Sequence, residues 1–226
     1  YKKTPLCNEK WDGVVWYSPS IFHAPFVNHL KKTSDCKGYL IIRDIFPEWA
    51  VDMGLMGKGI IYRFFRAVAR YQYSVADVIG VQTPGNLAYF EEWKNHQGKK
   101  LVVLQNWLAD TKPDSCSISI NKTILYGRKI FVYAGNMGVA QGMGILIDLA
   151  EKLKYRRDIG FLFVGRGSEA KRLADESRKR SLDNIAFKDE IHPDEIPALY
   201  AQCSVGIVSL DQRHKSHNIP GKFLSY

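Results

Sequence analysis

Long apolar runs are missing from this sequence. The longest, such as Leu101 to Leu104 and Ile207 to Leu210, are strand-sized and far short of the roughly 20 residues of a membrane span, so no transmembrane helix is expected. Cysteine is scarce. Cys7, Cys36, Cys116 and Cys203 form no C-x-x-C pair and have no clustered histidine at ligand spacing, which argues for reduced thiols in a cytoplasmic protein and against structural zinc. Tyr1 to Pro5 lack the basic, apolar and small-residue order of a signal peptide. The absence of an initiator Met and the abrupt end at Leu224-Ser225-Tyr226 suggest a piece of a longer chain.

Acidic residues are the minority charge. Thirty-two Lys and Arg against 23 Asp and Glu give a net charge of +9. That balance favours nucleotide phosphates, nucleic acid or acidic lipid as partners without choosing among them, and a plain solvated basic surface fits it as well. No compositional bias is present. With 46% apolar and 24% charged residues, the disordered, collagen-like and low-complexity classes are excluded. The 226 residues suit one large domain or two small ones.

Short β-rich runs alternate with longer amphipathic stretches, the pattern of parallel strands joined by crossover helices. In the first half the strands are expected at Gly13 to Tyr17, Tyr39 to Asp44, Val78 to Gln82 and Lys100 to Gln105. Helices are expected around Pro25 to Lys32, Lys58 to Ser74 and Pro84 to Asn95, with both prolines at first-turn positions that need no N–H partner. Polar, turn-forming text then marks an interdomain connection, giving a domain at 1–108, a linker at 109–126 and a second domain at 127–226. In the second domain, strands at Ile130 to Ala134, Gly160 to Val164, Ile185 to Lys188 and Val205 to Leu210 alternate with helices near Gly144 to Lys154, Glu169 to Arg180 and Asp194 to Gln202.

Several segments carry residues suited to chemistry. Gly135-Asn136-Met137-Gly138 follows an apolar strand and precedes a helix, where backbone amides can face a phosphate; an ordinary βα turn has the same pattern. Gly165 to Ala170 reads G-x-G-x-x-A, but it follows the second strand of its half rather than the first, so a plain turn is a better reading than a nicotinamide site. Pro220-Gly221-Lys222 would put a cation at a helix start, a second anion cradle, or leave a solvated lysine after a turn. His214 and His217 are three apart without a third ligand, and no metal site is expected. In the first half Arg43, Asp44 and Glu48 lie just past a strand's C-terminal end, the side of an open α/β sheet that lines ligand crevices, and His23 lies at an equivalent exit. The segment 58–73, with Lys58, Arg63, Arg66 and Arg70 among aromatics, suits either an interfacial helix on anionic lipid or a core helix with a basic outer face.

Three strings, Arg43 to Ala50, Tyr133 to Gly142 and Asn218 to Tyr226, make the chain resemble the retaining glycosyltransferases of family 4, and among them bacterial N-acetyl-L-fucosamine transferases of O-antigen and capsule synthesis. The resemblance implies a GT-B fold: two Rossmann-like α/β domains facing a cleft, the N-terminal one here incomplete and the C-terminal one truncated. It implies a UDP-sugar donor, no metal or other cofactor, and a lipid-linked or saccharide acceptor, with the enzyme cytoplasmic or peripheral on the inner face of the plasma membrane. Carried over by position, Gly135, Asn136, Met137 and Gly138 approach the diphosphate, which Lys222 beside Pro220 and Gly221 neutralises, while Phe187, Lys188 and Glu190 lie near the base. Arg43 and Glu48 stand on the acceptor side, and Asp44, His23 and His217 are the catalytic candidates. The family's two glutamates seven residues apart fall on His217 and Ser225, and its Arg and Lys after the glycine loop fall near Val139 and Gln141. No carboxylate pair of glycosidase type is present, which argues against hydrolysis. A nucleic-acid-binding module is the alternative, supported only by 58–73, and an NAD-dependent dehydrogenase depends on Gly165 to Ala170.

Overall fold

The computed structural model describes residues 9–108, 115–215 and 220–226, without the side chains of residues 95–97. It holds two separate four-stranded parallel sheets. Contacts divide the chain into one unit of residues 1–106 with 213–219 and another of 107–212 with 220–226.

The first sheet has the order β1-β2-β3-β4, with β1 at Gly13–Tyr17, β2 at Lys37–Ile42, β3 at Val78–Val81 and β4 at Lys100–Val103. The crossovers are α1 (Ala24–Ser34), the pair α2 (Glu48–Asp52) and α3 (Ile60–Val75), and α4 (Pro84–Gln97). Since each step moves to the next strand in one direction, right-handed crossovers put all of these helices on one face. The core lies beneath them, with Trp16, Leu40, Ile42, Ile79 and Val81 from the strands meeting Val27, Tyr73 and Phe90 from the helices. Local chemistry sets the helix ends. Thr83 and Asn86 cap α4 reciprocally and Gly98, at φ 61°, stops it, satisfying end groups that the helix itself leaves open. Helix α2 was not expected. It is five residues long and begins after Pro47, too short to leave a periodic trace.

The second sheet has the order β7-β6-β5-β8, with β5 at Lys129–Ala134, β6 at Ile159–Val164, β7 at Ile185–Lys188 and β8 at Val205–Gly206. Helices α5 (Gly144–Lys152) and α6 (Ala170–Lys179) carry the chain outward on one face. Helix α7 (Ile196–Tyr200) brings it back past β5 on the other, as a doubly wound sheet requires. Strand β5 accordingly alternates. Tyr133 packs with Ile147, Phe163 and Leu173, whereas Ile130, Val132 and Ala134 pack with Leu162, Leu199 and residues from the preceding segment.

That segment corrects the expected linker. Ile118, Ile120 and Leu125 are buried in the second unit's core, and Gln202 locks them there by donating to the Ile118 carbonyl at 3.0 Å and accepting from the Ile120 amide at 3.1 Å. Residues 115–126 therefore act as a cover for one face of the sheet, three apolar anchors hidden in otherwise polar text. Strand β8 is also shorter than expected, because Ser209 and Asp211 leave the sheet to bond the carbonyls of Gln141 and Ala140.

Candidate active site

The second unit's site forms where the loops after β5, β6 and β7 meet the last helix, α8 (Lys222–Ser225). Gly135, Asn136, Gly165, Arg166, Glu190, Tyr200, Lys222 and Ser225 line a pocket of about 530 Å³. It lies outside the C-terminal ends of the strands, where open α/β sheets bind ligands. An adjoining pocket of about 580 Å³ on the other side of the β6 loop takes in Met137, Gly167, Lys171, Phe187 and Lys188.

The two glycine loops fit into each other. Gly165 has φ 137° and a Cβ there would stand 2.1 Å from the Gly135 carbonyl oxygen; Gly167 has φ 151° and a Cβ would stand 2.4 Å from that of Met137. Only glycine combines this backbone with this approach. Hydrogen bonds complete the junction: the Gly135 amide donates to Val164 at 2.8 Å, that of Met137 to Arg166 at 2.7 Å and that of Glu169 to Met137 at 2.9 Å. The loop expected to be a plain turn is thus a wall of the pocket.

Of the four amides expected to form a cradle at 135–138, those of Gly135, Met137 and Gly138 have partners within the fold. The Gly138 amide donates to the Gln141 side-chain oxygen at 2.9 Å. Gln141 stands near where the resemblance expects a cation, and here it folds back to cap the turn, with Val139–Gln141 forming a 3₁₀ turn before α5. The Met137 side chain is buried in the core, so the loop presents its backbone and Asn136.

Positive charge comes instead from side chains. The Lys222 ammonium lies 4.5 Å above the Tyr133 ring, a favourable placement of a cation on an aromatic face. A Cβ at Gly135 would lie 3.0 Å from both Cε and Nζ of Lys222, so the glycine makes room for the lysine. Burial lowers the Lys222 pKa from the ordinary 10.5, because desolvation disfavours the charged ammonium. The Tyr133 hydroxyl donates to the Asn136 carbonyl at 2.6 Å, holding the turn, and burial raises its pKa. Tyr226 anchors α8: its ring packs against Tyr200 at 4.7 Å and its hydroxyl donates to the Ile207 carbonyl at 2.9 Å. Arg166 pairs with Glu190 at 3.0 Å, both largely exposed. Sequence reasoning passed over Arg166 and Tyr200; the position of Arg166 between two glycines at a strand exit was the available signal.

At the first unit's strand exits the construction differs. Ser18, buried after β1, accepts at Oγ from the amides of Arg43 and Asp44, at 2.8 and 3.0 Å, and donates to the Asp44 carbonyl at 3.0 Å. Burial raises the Asp44 pKa, and the charges of His214 and Arg43 partly offset it. Glu48 opens α2; one carboxylate oxygen accepts from Tyr62 at 3.4 Å and the other is buried. It lines a pocket of about 230 Å³ with Asp52, Asn86, Tyr89 and Lys215. Arg43 and His23 are exposed, and the His23 carbonyl accepts the Val27 amide at the start of α1. His217 lies outside the described residues. Among the described residues no helix is long and apolar enough to cross a membrane.

Residues 118–212 match the family model of glycosyl transferases group 1. WbjE of Pseudomonas aeruginosa, assigned as a glycosyltransferase, is 27% identical over 195 residues, covering 82% of this chain and 47% of its own. WcaI of Escherichia coli K12, assigned as a colanic acid biosynthesis glycosyl transferase, is 26% identical over 206 residues, covering 86% and 50%. The chain thus spans about half the length of these curated relatives. The crystal structure of Anabaena HepE in complex with UDP and glucose superposes with a TM-score of 0.63 at 15% identity, covering 88% of this chain and 53% of the other. The chain has the α/β architecture of the GT-B fold, and its residues 118–212 are similar to the glycosyl transferases group 1 family.

Proposed function

We propose that the protein is a retaining glycosyltransferase of family 4 that takes a sugar from UDP and delivers it to a lipid-linked or saccharide acceptor in surface polysaccharide synthesis, working at the cytoplasmic face of the membrane. N-acetyl-L-fucosamine is the sugar that the sequence resemblance favours, and no metal is required. In the reaction the bond between the sugar's anomeric carbon and the β-phosphate oxygen breaks, the acceptor hydroxyl oxygen bonds to that carbon with retention, and the hydroxyl proton is released. UDP departs with added negative charge.

The observation that carries this reading is Lys222. Its partly desolvated ammonium sits against the Gly135 turn at the end of β5, within the pocket that would take a diphosphate. Arg166, released from Glu190, is the second cation, substituting for those that Val139 and Gln141 do not provide. Fixed charge aimed at a leaving diphosphate stabilises the transition state more than the ground state. Phe187 and Lys188 in the adjoining pocket suit the base, and Ser225 and Glu190 the donor's sugar and ribose. Arg43 and Glu48 position the acceptor, with Asp44, His23 and His217 as the groups that handle its proton.

Calorimetry with UDP and uridine tests the assignment. Lys222→Ala should weaken UDP by roughly 1.5 to 3 kcal/mol, the range of a charge-assisted contact, and leave uridine unchanged. Equal losses for both ligands would show that Lys222 does not meet the diphosphate. Retention is checked separately, from the anomeric configuration of the product by NMR.

A further inference from the structure

Helix α3 carries an outward face that the core does not use. Ile60, Phe64, Ala67 and Tyr71 recur at helical spacing along one stripe, and Ile60 and Phe64 are 86% and 57% exposed. Ile61 (65%) and Leu55 (60%) adjoin its first turn, and Phe22 (60%) continues it beside α1. There the Phe22 ring meets Phe65, which meets Phe64. Isolated exposed apolar side chains are ordinary, but a contiguous set of this size marks a binding surface.

The charge beside the stripe identifies the occupant. Arg63, Arg66 and Arg70 form the next row of the helix and Lys58 precedes it. Arg70 is engaged with Glu92 and the Trp93 ring, whereas Lys58, Arg63 and Arg66 are exposed. No Asp or Glu occurs between Met53 and Ala76. A convex helical face, apolar along its crest and basic along one flank, is shaped for an interface of acyl chains beneath phosphate head groups. The topology adds position: α3 must run back from the C-terminal ends of the strands, so its first turn lies at the same end of the unit as Asp44 and Glu48.

We infer that Leu55, Ile60, Ile61 and Phe64, with Lys58, Arg63 and Arg66, dock the first unit on an anionic bilayer and so present its strand exits to a membrane-borne acceptor. The acceptor clause rests on the proposed function; the docking does not.

Vesicle co-sedimentation without any donor tests it. The chain should bind phosphatidylglycerol-containing vesicles well over tenfold better than phosphatidylcholine vesicles, and salt should erode the preference. Arg63→Gln with Arg66→Gln should lower binding to anionic vesicles roughly thirtyfold, at the affinity contributed per basic residue near such a surface. Ile60→Ser with Phe64→Ser should lower it at least tenfold at equal charge. Both double variants should keep the wild-type circular dichroism and UDP affinity. Vesicle binding that neither variant changes, or none to either lipid, would overturn the inference. So would a chain that binds no vesicles but forms dimers lost in the serine variant, or binds an oligonucleotide in a way lost in the glutamine variant. Loss of UDP binding with vesicle binding intact would refute the donor reading and leave the docking standing.

Discussion

The C-terminal edges of the two sheets solve the same problem with opposite means. At the second sheet, glycines let two loops interlock until a Cβ at 165 would overlap a carbonyl oxygen, and one lysine is drawn in over the junction. At the first sheet, a buried serine hydroxyl ties the exits of β1 and β2, and the pocket beyond is edged by carboxylates. The first edge to fail in the second unit should fail through an added atom, and in the first unit through a removed one. The contrast also fits the division of labour proposed above: a diphosphate needs fixed positive charge in a close-packed wall, whereas a hydroxyl acceptor needs acceptors for its proton.

The sharpest way to break this comparison is Gly165→Ala. It places a methyl group against the Gly135 carbonyl in a backbone region alien to L-residues, and should cost about 3 kcal/mol or more in urea denaturation. Gly221→Ala, with open space around it and no positive φ, should stay within about 0.5 kcal/mol. Equal effects would mean that the interlock is not a tight one. Next in size is Ser18→Ala, which strands two amides and a carbonyl; a loss of roughly 1 to 3 kcal/mol is expected from the same measurement.

A smaller effect lies in the pH dependence of binding. Only protonated Lys222 attracts a diphosphate, and burial puts its pKa below 10.5. The ratio of UDP to uridine affinity should therefore fall as pH rises, beginning below that value, and should be flat in Lys222→Ala. Asp44→Asn should have the smallest effect. Its pKa in the folded protein is raised above 3.8 by burial, so wild-type stability falls as pH climbs from 3.8 through the raised value and then levels off. Asparagine carries no such penalty, and a slight gain in denaturation midpoint at neutral pH, absent in acid, is the expected sign.

The sequence foretells the strands and long helices because their periodicity is local: the eight strands of the described residues coincide with the expected runs, apart from the extra Lys37 and Gly38 on β2, the extra Lys129 on β5 and Ile159 on β6, and the early end of β8. The site is legible in part. Gly135, Asn136, Lys222, Glu190 and Ser225 do line one pocket, since strand ends converge on one edge in any parallel sheet. What escaped is pairwise. Neither the meshing of Gly165 with Gly135, nor the Gln141 side chain occupying the turn's amide, nor the three isoleucine and leucine anchors of 118–125 repeats at any period. Each becomes visible only when segments distant in sequence touch.

The central claim, that the nucleotide diphosphate is held at the second sheet's glycine edge, is tested most directly by hydrogen exchange of the chain with and without UDP. The account predicts slowed exchange in 135–138, 165–167 and 222–225 and unchanged exchange at 13–18 and 37–48. Protection confined to the first unit's strand exits, with the glycine loops and α8 unaffected, would contradict it.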